Sequence, residues 1–358
     1  MKTFRCVCGS ELYFENVHCL TCKRTLGFLP DRLQLAALEP LGGDRWGAVS
    51  GGAEGAEYRM CMHYSRDDAC NWMVPIDDPE PHCIACRLNE VIPNLDKPGN
   101  RSRWIRIERR KRRLVYDLRR RGLPVEPRSK YPDRGLAFAF LEDNPDSGSG
   151  TPGGGLEFRA DLQTEQVLTG HANGLITINI AEADDVERER MRVQMNEQQR
   201  TLLGHFRHES GHYYWQRLPV SEALLADVRA AFGDEREDYA AALDRYYQQG
   251  PPDDWRGRFV SAYASAHPWE DWAECWAHLL QITDTLETAA AIGLATAAVV
   301  EGDLESRIEQ WIDLSVKLNV LSRSLDQPEP YPFVLSPQVI DKLLLVDRVI
   351  RESRALRG

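Results

Sequence analysis

The sequence predicts an α+β protein, mostly helical with a small sheet, standing behind a cysteine-rich module. Three observations carry that expectation. Eight of the nine cysteines fall within the first hundred residues. From Asp184 onward, apolar residues recur mainly at helical spacing, with prolines at the breaks. Between these regions lies Leu175-Ile-Thr-Ile-Asn-Ile180, apolar and β-branched as a strand requires. The expected division is a module with two metal sites at 1–95, a basic linker helix at 96–130 and a larger domain at 131–358.

The cysteines form two sets of four: Cys6, Cys8, Cys19 and Cys22, then Cys61, Cys70, Cys83 and Cys86. Cys19-Leu-Thr-Cys22 and Cys83-Ile-Ala-Cys86 are C-x-x-C knuckles, whose tight turn aims two thiolates at one tetrahedral ion. Four sulfurs close a structural zinc site with no open position. Cys6-Val-Cys8 departs from the usual knuckle, and in the second set His63 or His82 could replace a sulfur. A disulfide framework competes, but Met1 to Cys6 shows no apolar signal segment, and without export thiols stay reduced. Pro81-His-Cys83-x-x-Cys86 also matches half of a nucleobase-deaminase signature, whose upstream His-x-Glu is missing. Two zinc ribbons is the expectation. Cys275 reads as a small buried apolar residue.

Arg101 to Arg121 carries Arg101, Arg103, Arg106, Arg109, Arg110, Lys111, Arg112, Arg113, Arg119, Arg120 and Arg121 against Glu108 and Asp117. Trp104, Ile105, Ile107, Leu114, Val115 and Leu118 are interleaved at near-helical spacing. One reading is a helix docked by its apolar stripe with the cations outward. The other is a grip on an acidic partner or on nucleic-acid phosphates. A net charge of -11 argues against general nucleic-acid binding by the whole chain.

Gly135 to Leu141 reads as a strand, 144–155 as a loop rich in Gly, Ser and Pro, and 156–168 as a second, weakly alternating strand. Hydrophobic content of 42% suffices for a core. A mean hydropathy of -0.46 argues against a membrane protein. The most apolar run, Ala289 to Val300, is too short to span a bilayer and reads as a buried or loosely packed helix. A cytoplasmic protein without membrane contact is expected.

Between Asp184 and Leu218 there is no proline, and Leu202, Leu203, Phe206, Tyr213 and Tyr214 recur at helical spacing up to Pro219. This helical stretch carries His208-Glu209-Ser-Gly-His212. Residues four apart on an α-helix have Cβ atoms roughly 5–6 Å apart, so both imidazoles can reach one metal ion. Glu209 can then lean over a water in the open position as general base. The pattern is short enough to arise by chance on a surface helix, so a third ligand downstream has to decide the matter. His205, on nearly the same face, reads as a supporting or surface residue.

A hydrolytic zinc keeps three protein ligands. Pro268 starts a helix that puts Glu270 and Glu274 on one face. Two acids four apart repel unless positive charge lies between them: zinc for one, an imidazole N–H for the other. Glu270 is assigned as third ligand and Glu274 as the supporting carboxylate, with the reverse left open. Trp269, Trp272 and Trp276 mark this helix as packed, and His267 and His278 read as structural. Further helices are expected near 221–232, 235–249, 269–287, 303–324 and 337–355.

HExxH followed by E-x-x-x-[DE] resembles the gluzincin metallopeptidases. Glu270-Asp-Trp-Ala-Glu274, with Tyr263 seven residues upstream, resembles anthrax lethal factor and its relatives. This likeness covers the catalytic helices. It implies that the Tyr263 phenol hydrogen-bonds the oxyanion formed as water attacks the scissile carbonyl. It further implies that residues 174–180, preceding the active helix, pair with a peptide substrate. Over nearly the whole chain, the order of ribbons, basic helix, Gly170 to Asp185 and Gly204-His-Phe-Arg-His-Glu resembles bacterial zinc-binding metallopeptidases with an N-terminal zinc-ribbon region. That likeness implies a zincin-like peptidase domain and leaves the substrate open.

The expectation is a zinc-dependent peptidase with one catalytic and two structural zinc ions, acting on a peptide or protein. Glu209 takes a proton from water and passes it to the leaving amine. The competing expectation is a nucleic-acid- or protein-binding protein whose HExxH zinc is catalytically idle.

Overall fold

The computed structural model describes residues 3–143, 167, 169–195, 197–296 and 298–355. The expected loop at 144–155 and nearly all of the expected strand at 156–168 lie outside the described residues.

Cys6 and Cys8 lie in the turn of an antiparallel hairpin of β1 (Phe4–Arg5) and β2 (Glu11–Leu12), and Cys19 and Cys22 in a second turn closed by the His18–Thr25 bridge. Next comes a five-stranded antiparallel sheet, its strands neighbours in chain order: β3 (Leu26–Leu29), β4 (Gln34–Gly42), β5 (Arg45–Ala48), β6 (Glu57–Met60) and β7 (Met73–Pro75). Sequence patterning does not announce these strands. β3 is buried at all four positions, so it lacks the alternation that reveals a half-exposed strand. One short helical turn, α1 (Met62–Ser65), lies between β6 and β7, and Cys61 caps it. The cysteine module is therefore built around a sheet, with Phe28 packed on Phe14, Trp72 and Tyr116.

A second sheet has the order β10-β11-β9-β8. β8 (Asn89–Val91) and β9 (Ala137–Leu141) are parallel, as are β9 and β11 (Leu175–Asn179), while β10 (Gly170–Ala172) is antiparallel to β11. β8 precedes residue 95, so the cysteine module contributes a strand to the sheet of the larger domain. Asn173 and Gly174 join β10 to β11 with φ of 46° and 80°, as a two-residue hairpin turn with two positive φ values demands. β11 is paired on both edges. The expected peptide-pairing strand at 174–180 therefore has no free edge; among the described residues the edge strands of this sheet are β10 and β8.

α2 (Asn100–Arg120) joins the halves. It buries Trp104, Ile107, Leu114, Val115 and Leu118, and with them the charged side chains of Glu108, Lys111, Arg112 and Asp117. Lys111 meets Glu108, Arg112 and Arg113 meet Glu15, Arg101 meets Asp67, Arg103 meets Asp184 and Arg106 meets Asp185. At the far end Arg120 and Arg121 meet Asp117, and Arg120 also meets Glu287. Most of the basic run is thus neutralised within the chain.

The single helix expected up to Pro219 is two. α3 (Asp185–Gln194) buries no side chain and starts on an Asp184 cap. α4 (Leu202–Trp215) starts afresh where the Thr201 hydroxyl accepts from the Gly204 N–H at 2.9 Å. Arg200, just before α4, is buried between Glu182 and Glu197. The remaining helices are α5 (Glu222–Phe232), α6 (Tyr239–Gln249), α7 (Trp255–Arg258), α8 (Pro268–Ala291), α9 (Ala298–Glu301), α10 (Leu304–Ser324) and α11 (Pro337–Ala355). The Ala289–Val300 run is not one helix: it breaks at Gly293, with Ile292 and Leu294 exposed. Among the described residues no helix is long and apolar enough to cross a membrane.

Candidate metal centre and cysteine sites

α4 and α8 lie in direct contact, and glycine makes that possible. A Cβ on Gly211 would fall 2.9 Å from the Ala273 backbone and 3.2 Å from Trp276. The Trp272 indole donates to the Gly211 carbonyl at 3.1 Å, and the Trp276 indole to the Ser210 hydroxyl at 3.0 Å. Both rings are fully buried, which fixes the rotation of each helix against the other. His208 and His212 on α4 then face Glu270 and Glu274 on α8.

The donor atoms converge. His208 Nε2 lies 3.1 Å from His212 Nε2 and 3.0 Å from Glu270 Oε2, and His212 Nε2 lies 3.5 Å from Glu270 Oε1. A tetrahedral zinc with ligand bonds near 2.0–2.1 Å separates its ligands by roughly 3.3 Å, so the spacing fits one ion. The chemistry fits as well. His208 Nδ1 is 2.8 Å from Glu274 Oε1, an N–H donor to a carboxylate, which leaves the lone pair of Nε2 pointing at the other two donors. Glu270 Oε2 is buried and has no hydrogen bond of proper geometry. Burial opposes a charge on His208, but the hydrogen bonds and charges of Glu270 and Glu274 outweigh it and hold its pKa well above the usual value. Burial likewise opposes a charge on Glu270, and the two imidazoles overcome it, keeping its pKa low.

Glu209 lies beside this triangle, 8% exposed. Burial raises its pKa while His208 and His212 pull it down, and burial wins. The Tyr263 ring sits 6.1 Å from the His208 ring, and burial pushes its phenol up. His267 and His278 take structural places. His267 caps α8, its Nδ1 accepting from the Trp269 N–H at 3.0 Å, and His278 is buried against the Tyr331 hydroxyl at 2.7 Å. His205 is mostly covered, 3.4 Å from Glu182.

Three participants carry no signal in the sequence that singles them out. The Ser261 hydroxyl donates to Glu274 Oε2 at 2.6 Å. The Tyr239 hydroxyl donates to Glu270 Oε1 at 2.6 Å. His171, on β10, packs on Tyr213 and is held neutral, burial pushing its pKa down to about 3. No local pattern announces Ser261 or Tyr239. For His171, the Asn173-Gly174 turn is a cue that could have placed it on a hairpin.

Each cysteine set gathers into one cluster. Sulfur separations are 3.6 Å for Cys6–Cys22 and Cys8–Cys19, 3.8 Å for Cys70–Cys83 and 3.7 Å for Cys70–Cys86. Zinc–sulfur bonds near 2.3 Å put the sulfurs of a tetrahedron about 3.8 Å apart, whereas a disulfide needs about 2.05 Å. Both clusters fit zinc ribbons, and none of the nine cysteines is oxidised. His63 and His82 pack on each other, ring centroids 4.5 Å apart and planes tilted by 58°, and the second cluster consists of its four sulfurs. Arg112 supports that cluster. Burial opposes its charge, but Cys70, Glu15 and Cys86 reverse the balance and raise its pKa.

Two closed sulfur sites and one open nitrogen–oxygen site define a zinc-binding protein with a helical domain behind a ribbon module. The chain belongs to the family described as "Putative zinc-binding metallo-peptidase", whose model matches residues 100–349, and a zinc-ribbon domain model matches residues 3–97. Similar proteins occur in Mycobacterium bovis and Mycobacterium tuberculosis. Each is an uncharacterized protein 39% identical over 363 residues, a match covering 98% of this chain and 96% of the relative. No solved structure matches.

Proposed function

We propose that the protein is a gluzincin-type zinc peptidase, with one zinc ion held by His208, His212 and Glu270 and two more in the cysteine clusters. The single observation that carries this reading is a triangle of three lone-pair donors, two imidazoles and the Glu270 carboxylate, with a further carboxylate, Glu209, beside it. When bound, zinc acts as a Lewis acid toward water and the scissile carbonyl. Glu209, nearly buried and with burial raising its pKa, takes the water's proton and returns it to the leaving amine. Glu274 and Ser261 hold His208 in the tautomer that frees Nε2. Tyr263 is the donor for the oxyanion. β10, whose outer edge is open among the described residues and which packs on α4, is the strand to which an extended peptide adds.

The competing reading, an acidic or nucleic-acid partner gripped by Arg101–Arg121, draws little from the structure, because most of these cations already have carboxylates of the same chain. Cleavage-site profiling of a proteome-derived peptide library tests the peptidase reading. Wild type should cut at a defined sequence and Glu209→Gln should not. Equal cutting by both, or none by wild type loaded with zinc, would overturn it.

A further inference from the structure

The Tyr239 hydroxyl is the nearest polar neighbour of Glu270 outside the histidine pair. It occupies Oε1 from one side, while Oε2 is buried without a hydrogen bond and faces His208 Nε2. The two oxygens of one carboxylate therefore stand in different environments. The tyrosine is also held in place. It is the first residue of α6, which Asp238 caps by accepting from the Ala241 N–H at 3.0 Å. Its ring packs edge-on against His267 at 5.1 Å. His267 ties the two helix starts together. Nδ1 accepts from Trp269 at the head of α8, and the opposite nitrogen, Nε2, donates to the Glu237 carbonyl just before α6, at 3.2 Å.

We infer that Tyr239 is a positioning residue of the metal centre: it engages one oxygen of Glu270 so that the other alone is presented to the ion. A free carboxylate can bind a metal through both oxygens. Engaging one removes that choice, fixes the carboxylate's direction and keeps a coordination position for water. The inference rests on the His208–His212–Glu270 site proposed above.

Its test uses the full-length protein with the cysteine sites left in zinc and cobalt(II) loaded into the nitrogen–oxygen site. Cobalt at that site absorbs in the visible without the sulfur charge-transfer band of a cysteine site. Tyr239→Phe should bind cobalt about 10–100-fold more weakly. Its visible bands should also lose intensity, as the freed oxygen joins the ion and raises the coordination number. Tyr263→Phe, which leaves the Tyr239–Glu270 bond intact, should show the wild-type spectrum. A Tyr239→Phe protein with unchanged spectrum and affinity would overturn the inference while leaving the metal site standing. Wild-type protein that takes up no cobalt outside its cysteines would overturn the site itself. A Tyr263→Phe spectrum altered like that of Tyr239→Phe would show that Tyr239 does not act on its own.

Discussion

The second cysteine site and the His208–His212–Glu270 site show what closure does to a metal centre. Cys61, Cys70, Cys83 and Cys86 are each 3% exposed or less, and their four sulfurs complete a tetrahedron. Nothing is left for a substrate to approach. The histidines of the other site stay 13% and 14% exposed, and three donors leave one corner open. The charged neighbours differ in kind too. Arg112, its charge favoured by Cys70 and Cys86, attends the closed site, whereas the buried carboxyl of Glu209 attends the open one. One arrangement closes around its ion; the other leaves the open corner that the proposed hydrolysis requires.

That contrast can be broken most sharply at Glu209. Glu209→Gln should reduce hydrolysis about 10²–10⁴-fold with zinc content unchanged, measured by peptide cleavage alongside metal analysis. Loss of zinc together with activity would make Glu209 a ligand and erase the distinction. Brief chelation comes next. The open site should give up its ion first, abolishing cleavage while far-ultraviolet circular dichroism stays constant; unfolding in step with the first zinc released would contradict this.

Within the closed sites, Cys70→Ser should lower stability by on the order of 4 kcal/mol in denaturant titration, because it strands three buried sulfurs. Cys8→Ser, at the exposed corner of the first site, should cost less, and the reverse order would sink the burial argument. The smallest effect belongs to Gly211→Ala. Its methyl group must push α8 away from α4, at a cost of about 1–3 kcal/mol in thermal denaturation. A wild-type melting temperature would mean that the helices do not pack as closely as described.

The sequence made the sites legible through spacing. Histidines four apart, glutamates four apart and paired cysteines are local patterns that regular backbone turns into geometry, and the structure brings these residues together. The long helices from Glu222 onward were legible because prolines and polar caps mark their ends, whereas the single turns α7 and α9 were not. Other features were hidden for physical reasons. β3 is buried on both faces and shows no alternation. The break before α4 coincides with Arg200 pairing with Glu182, eighteen residues back in the chain, a contact that helical periodicity does not reveal. Tyr239 meets Glu270 only after α6 and α8 are docked, thirty-one residues apart in the chain.

Zinc-edge anomalous diffraction from crystals of the full-length protein tests the central claim most directly. Three peaks are predicted: two within four-sulfur tetrahedra, and one bound by His208, His212 and Glu270 with a water at the remaining corner. A third peak closed by a fourth side chain, or none at the histidine pair, would contradict the account.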